Sequence, residues 1–187
     1  MATMKLSTGP TEEPVSEHEL SNQILVDVTD PMLGSYISAA RVYVENLTGP
    51  LITQTWIQYE DDWPADDYLY IRMPRLVSVT SVKYKDENAV ESTFSSSYYN
   101  VNTQDEYRPC ISLKPLYSWP VSTTLYAVNP IYVTFVCGFG AASSVPLPIR
   151  QAIMMLAGYL YENREADAKG FPNSVLDALL ANYRFRG

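Results

Sequence analysis

Few side chains in this sequence have a type and spacing that could do chemistry. The single histidine, His18, lies among glutamates. A histidine base needs a nucleophile to activate and a group to orient it, and neither is near in sequence, so His18 reads as a solvated surface residue. The densest titratable group is Glu60, Asp61, Asp62, Asp66 and Asp67 around Trp63-Pro64. Its oxygens suit a hard cation such as calcium, but the Asp/Asn alternation and the glycine of a calcium loop are missing, and a charged hairpin loop explains the residues equally well. Cys110 and Cys137 have no partners at zinc-ligand spacing, and a distant pair without a secretion signal reads as two buried thiols. There is no Gly-x-Ser-x-Gly elbow, phosphate-binding glycine loop or dinucleotide fingerprint. No catalytic residue, cofactor or metal ligand is expected. A different option rests on Trp56, Trp63 and Trp119, which, exposed on a β-sandwich, could stack sugars as a carbohydrate-binding module does.

The elements that would carry these residues fall into three blocks. Residues 1–14, with Gly9, Pro10 and Pro14, read as an extended or mobile arm. Ser16 and Glu19 have capping-box spacing ahead of Leu20, Ile24 and Leu25, which predicts a short helix ending near Val26. Asp30-Pro31 predicts an N-cap with proline at the first helical position, and Leu33, Ile37, Ala40, Val44 and Leu47 recur down one face until Gly49-Pro50.

From Ile52 to Val136 the pattern changes to short runs rich in Val, Ile, Thr, Tyr and Trp. Strands are predicted at 52–59, 68–72, 76–84, 97–102, 109–114 and 131–137, with Val77, Val79 and Val82 nearly alternating. No helical segment separates them, so antiparallel hairpins or a small sandwich are favoured over βαβ units. Pro146 and Pro148 open a third helix to about residue 165, lined by Ile149, Ile153, Leu156, Ala157 and Leu160. Gly170, Pro172 and Asn173 break the chain before a brief last helix with Leu176, Leu179 and Leu180.

Each helical stripe is too narrow to stand alone, so the terminal helices must pack on each other. The expected class is α+β: a small bundle of N- and C-terminal helices with an inserted antiparallel β-region. The expected divisions are a flexible arm at 1–14, a helical body at 15–50 and 146–182, an inserted β-domain at 51–145 and a tail at 183–187.

The 187 residues suffice for one sizeable core, 47% are hydrophobic, and no apolar run approaches the length a membrane span needs. A net charge of −8 disfavours wrapping nucleic acid, which needs lysine and arginine to dominate a face. Fifteen tyrosines suit surfaces half-buried against partners, or a tyrosine-rich sheet.

Four stretches resemble the small head-to-tail connector (adaptor) proteins of long-tailed phages and gene transfer agents. They are Thr11-Glu12-Glu13-Pro14-Val15-Ser16; Ala39 to Gly49; Leu51-Ile52-Thr53-Gln54-Thr55-Trp56 with Arg72 to Val82; and Val145-Pro146-Leu147-Pro148-Ile149-Arg150-Gln151-Ala152-Ile153 running to Tyr161-Glu162-Asn163-Arg164-Glu165, then Asp177 to Leu180 and Tyr183-Arg184. Residues 16–30 are less basic than that family's first helix, and residues 97–132 carry little of its signal.

The resemblance implies a virion protein at the head–tail interface, assembled in the host cytoplasm and not bound to a membrane. It would form a closed ring of about twelve copies under a portal protein, joined below to a stopper or tail-completion protein. DNA would pass through the centre without sequence-specific binding. Tyr183, Arg184, Phe185 and Arg186 are the expected portal contacts, and Tyr36, Tyr43, Tyr159 and Arg164 the expected subunit contacts. The alternative is a β-sandwich carbohydrate-binding or virion-surface module.

Overall fold

The computed structural model describes residues 3–163 and 173–185. Along the chain run β1 (Thr3–Thr8), α1 (Glu17–Ile24), α2 (Leu33–Thr48), β2 (Gln54–Glu60), β3 (Tyr68–Tyr70), β4 (Leu76–Lys85), β5 (Glu91–Phe94), β6 (Tyr99–Asn102), β7 (Cys110–Leu113), β8 (Ile131–Cys137), α3 (Leu147–Glu162) and α4 (Asn173–Leu180). The fold is α+β, with antiparallel sheets. Two compact units result: a helical unit of Pro10–Ile52 with Phe139–Arg186, and a β-unit of Thr53–Gly138 with Met1–Gly9.

In the helical unit, α1 begins on the capping box that Ser16 and Glu19 announce. Ser16 Oγ accepts the Glu19 N–H at 3.2 Å while the Glu19 carboxylate accepts the Ser16 N–H at 2.9 Å. The helix stops two residues earlier than predicted because Leu25 turns left-handed, with φ 55°, and its N–H returns to the Ser21 carbonyl. Helix α2 also starts later than Asp30-Pro31 predicts. Asp30 instead forms a turn, its Oδ1 accepting the Met32 N–H at 2.9 Å, and the helix begins at Leu33 without a side-chain cap. Gly49, at φ 84°, ends α2 while donating to Glu45 at 2.7 Å.

Leu33, Ile37, Ala40 and Val44 of α2 meet Ile149, Ala152, Ile153 and Ala157 of α3 in one core, joined by Leu20 of α1 and Leu176 and Leu180 of α4. Arg41, nearly buried, is satisfied by Glu13 and Glu45, each at 2.7 Å. Glu45 in turn accepts the Leu51 N–H at 3.0 Å.

The β-unit is built on β8. Its Ile131, Val133, Phe135 and Cys137 are fully buried and alternate with half-buried Tyr132, Thr134 and Val136. Antiparallel β2 and β4 flank it, giving a five-stranded sheet in the order β1-β2-β8-β4-β5, and a second sheet runs β3-β7-β6. Both sheets share one core, which holds Leu69, Val82, Phe94, Ile111 and Phe135. Of the nearly alternating Val77, Val79 and Val82, Val77 is exposed, because the β4–β8 register shifts between Leu76 and Ser78.

The arm expected at 1–14 is extended in the structure: Thr3–Thr8 forms β1 on the edge of β2. β5 likewise has no apolar pattern to announce it and is defined by its pairing with β4. Residues 10–15 are held by the helical unit, with Glu12 accepting the Ala142 N–H at 2.9 Å and Pro14 accepting from Arg150 at 2.9 Å.

Two stability predictions follow from these cores. Phe135→Ala should cost about 3–5 kcal/mol and Ile153→Ala about 2–5 kcal/mol in denaturant unfolding, as truncations of buried side chains do. Glu19 offers a pH test. The Ser16 backbone N–H, aided by the Ser16 hydroxyl and Arg150, holds the Glu19 carboxyl below its ordinary value. Its contribution is therefore complete above the unfolded pKa of about 4.3 and is lost as pH falls through the lower folded value. Glu19→Gln should flatten that part of the acid limb in a series of urea midpoints.

Candidate interaction surfaces

Among the described residues no three His, Cys, Asp or Glu side chains come together to hold a metal ion. His18 is exposed, its Nδ1 3.1 Å from Asn22. Cys110 and Cys137 are buried and not joined in a disulfide, and burial pushes the Cys110 thiol up. Nor is any described helix long and apolar enough to cross a membrane.

The sugar-stacking option requires exposed flat indoles. Trp63 and Trp119 are instead stacked on each other inside the β-unit, with centroids 5.1 Å apart at 12°, and the Trp119 indole N–H donates to the Asp66 carbonyl at 2.9 Å. Trp56 is half-buried on β2, its N–H on Gln54. Exposed tryptophan platforms, as the sequence allowed, are thus corrected: the aromatic cluster of this unit is its core, because large rings bury the most apolar area.

Of the expected portal contacts, Tyr183 packs against the helical core and donates its N–H to Leu180 at 2.9 Å. The Arg184 guanidinium donates to Asp177, and the Phe185 N–H donates to the Leu47 carbonyl at 3.0 Å. The chain as far as Phe185 therefore lies back along the end of α2, with Arg184 exposed and Phe185 half-exposed. Arg186 lies outside the described residues.

The expected subunit contacts separate. Tyr36 is half-buried, its ring edge-on to Tyr161 at 5.8 Å and 79°, and Tyr161 donates its hydroxyl to Asp30 at 2.7 Å. Tyr43 is 45% exposed. Tyr159 lines a groove between α1 and α3, whereas Arg164 lies outside the described residues.

Two features of the helical unit were not singled out in sequence. The outward stripe of α2, Ser35, Ala39, Val42, Tyr43 and Asn46, carries no charge, although exposed helix faces normally do. A count of charges at that spacing would have found it. The α1–α3 groove, about 470 Å³, is lined by Ile24, Leu25, Met154, Met155 and Tyr159. Gly158 lets the helices close there, since a Cβ on it would come within 2.9 Å of Ile24 Cγ2. That approach joins residues distant in sequence and has no local signal.

No protein-family profile and no curated protein matches the chain. Solved structures share its fold, among them three from gene transfer agent particles. A chain of the neck of a native gene transfer agent (GTA) particle computed with C12 symmetry is 24% identical, with a TM-score of 0.78, covering 100% of this chain and 96% of that one. A chain of the virion of a native GTA particle has a TM-score of 0.81 at 22% identity, and one of the neck of an empty GTA particle computed with C6 symmetry has 0.76 at 22%. Both cover 99% of this chain and 96% of theirs.

The tyrosines can be told apart by stability. Tyr43→Ser should leave the unfolding free energy within about 0.5 kcal/mol, since exposed side chains contribute little. Tyr36→Ala should cost roughly 1–2 kcal/mol through its lost ring contact and buried area. Equal effects in thermal melts would contradict that division.

Proposed function

We propose that this chain is a non-enzymatic structural subunit of a tailed-phage or GTA-like particle, a head-to-tail connector that forms a ring beneath the portal and meets the stopper or tail-completion protein below. The observation that carries this reading is the near end-to-end agreement in fold, in both directions, with chains from GTA necks and virions. Two of those particles were computed with C6 or C12 symmetry, which is the setting a ring-forming subunit needs.

The helical unit supplies two kinds of surface for neighbours. The α2 stripe is a ridge of small and apolar residues, and the α1–α3 groove is a recess with exposed Leu25 at its edge. They are different patches on one protomer, so pairing one with the other is heterologous and closes into a ring when the rotation allows. Tyr43 and Tyr159 serve this contact directly. Tyr36, braced on Tyr161, acts by fixing α2. The Tyr183–Gly187 tail, with Arg184 exposed, is the portal contact. A net charge of −8 keeps DNA passing the ring from adhering, because phosphates find few cations. Assembly would take place in the host cytoplasm, and the protein would reside in the virion at the head–tail interface.

The test is electron microscopy of the chain mixed with its portal. The full chain should add a ring of density, and a truncation of residues 183–187 should leave the portal bare while the free chain stays folded. Tyr43→Glu should block ring closure without unfolding the chain. Normal ring attachment by the truncated chain would reject the tail assignment, and no ring from the full chain would reject the connector reading.

A further inference from the structure

The β-unit also has an exposed surface, of which residues 121–127 lie in the stretch with little connector resemblance. The end of β2 and the turn after it carry Glu60, Asp61, Asp62, Asp66 and Asp67, and all but Glu60 are exposed. Asp62 stands between two recesses. One, about 400 Å³, has Val121 and Tyr126 at its rim, which are 72% and 44% exposed; the other, about 260 Å³, has Tyr68 and Tyr70, 47% and 43% exposed. Residues 115–130, which supply Val121 and Tyr126, contain no charged side chain.

This loop is anchored. Trp119 is sunk in the core, the Tyr126 N–H donates to Lys85 at 3.1 Å, the Lys85 N–H donates to Pro130 at 2.9 Å, and the Asn129 N–H donates to Asp61 at 3.3 Å. The apolar rims are therefore held in place before any partner arrives, which lowers the ordering cost of binding.

Charge and ring chemistry together select the partner. Arg72, just after β3, is 3.6 Å from Glu60, and together with Arg108 it is outnumbered by the five carboxylates. Tyrosine faces attract guanidinium groups, and the structure already has one doing so: Arg108 lies over Tyr70 at 5.2 Å from the ring centroid. We propose that the acidic turn and its two aromatic recesses form a docking site for a basic protein segment, one that carries arginine flanked by apolar side chains. The arginine would lie over the Asp62 and Asp66 carboxylates and its apolar neighbours would enter the recesses. Nucleic acid is excluded as the occupant by the same carboxylates.

The experiment titrates the isotope-labelled full chain with the peptide acetyl-Gly-Leu-Arg-Phe-Arg-Leu-Gly-amide and with its twin in which citrulline, of like shape but uncharged, replaces both arginines. The arginine peptide should shift amide resonances of residues 61–70 and 121–127 and bind at least about tenfold more tightly than the twin. Asp62→Asn with Asp66→Asn, which keeps shape and one acceptor oxygen on each side chain, should weaken it about tenfold, near threefold per exposed charge. Val121→Ser with Tyr126→Ser should weaken it with no change in charge, and unchanged thermal midpoints would show that both variants fold. Equal binding of the two peptides, shifts confined to other residues, or no shifts at millimolar peptide would overturn the proposal. No particle or ring is involved, so that failure would leave the connector reading standing.

Discussion

The packing of α2 on α3 is the constraint on which the helical unit depends, because these helices are separated in the chain by residues 53–138 of the β-unit. Neither stripe is wide enough to hold a helix in water alone. Closing a loop as long as residues 53–138 costs roughly 4 kcal/mol in chain entropy. Burying Leu33, Ile37, Ile149 and Ile153 gives about 2 kcal/mol each, so the packing exceeds that cost. The places where the chain leaves and re-enters are stitched as well: the Phe139 N–H donates to the Leu51 carbonyl at 2.8 Å, and Ile52 bridges Gly140. The β-unit can thus vary in its loops while its two ends stay fixed to each other.

Within the β-unit the corresponding role belongs to β8. A strand with Ile131, Val133, Phe135 and Cys137 all fully buried can only be central, and it receives β2 and β4 on its two sides. The register shifts on β4 follow from keeping Val79 and Val82 in line with Phe135 and Val133 while Val77 turns outward. The stacked pair of Trp63 and Trp119 then ties the acidic turn and the 115–130 loop into the same core. Rigid placement of two exposed segments is a consequence of that burial.

Surface chemistry divides along the same lines. On the helical unit the outward stripe of α2 lacks charge, a property suited to close contact between like copies, and the α1–α3 groove has Glu162 as its one charged lining residue. On the β-unit the notable surface is rich in carboxylates and tyrosine rings, suited to a partner of opposite charge. Tyrosine in this chain accordingly occupies three settings: the core at Tyr99, a braced ring pair at Tyr36 and Tyr161, and the exposed surface at Tyr43, Tyr68 and Tyr126. Composition alone shows only that tyrosines are many.

The sequence by itself determined the fold class and most of the elements, because helical stripes, the Ser16–Glu19 capping box and the alternation of β8 are local patterns that sterics and burial enforce. It also identified the acidic turn as a loop. What only the tertiary structure decided was everything set by long-range pairing: that residues 3–8 are a strand, since β2 supplies their hydrogen-bond partners; that Trp63 and Trp119 face inward, since each is the other's neighbour; that α1 and α3 meet closely at Gly158; and that the chain to Phe185 lies on α2, through a bond to Leu47. Each of these joins residues far apart in the chain, and a side chain's type records how much area it can bury but not which distant partner will cover it.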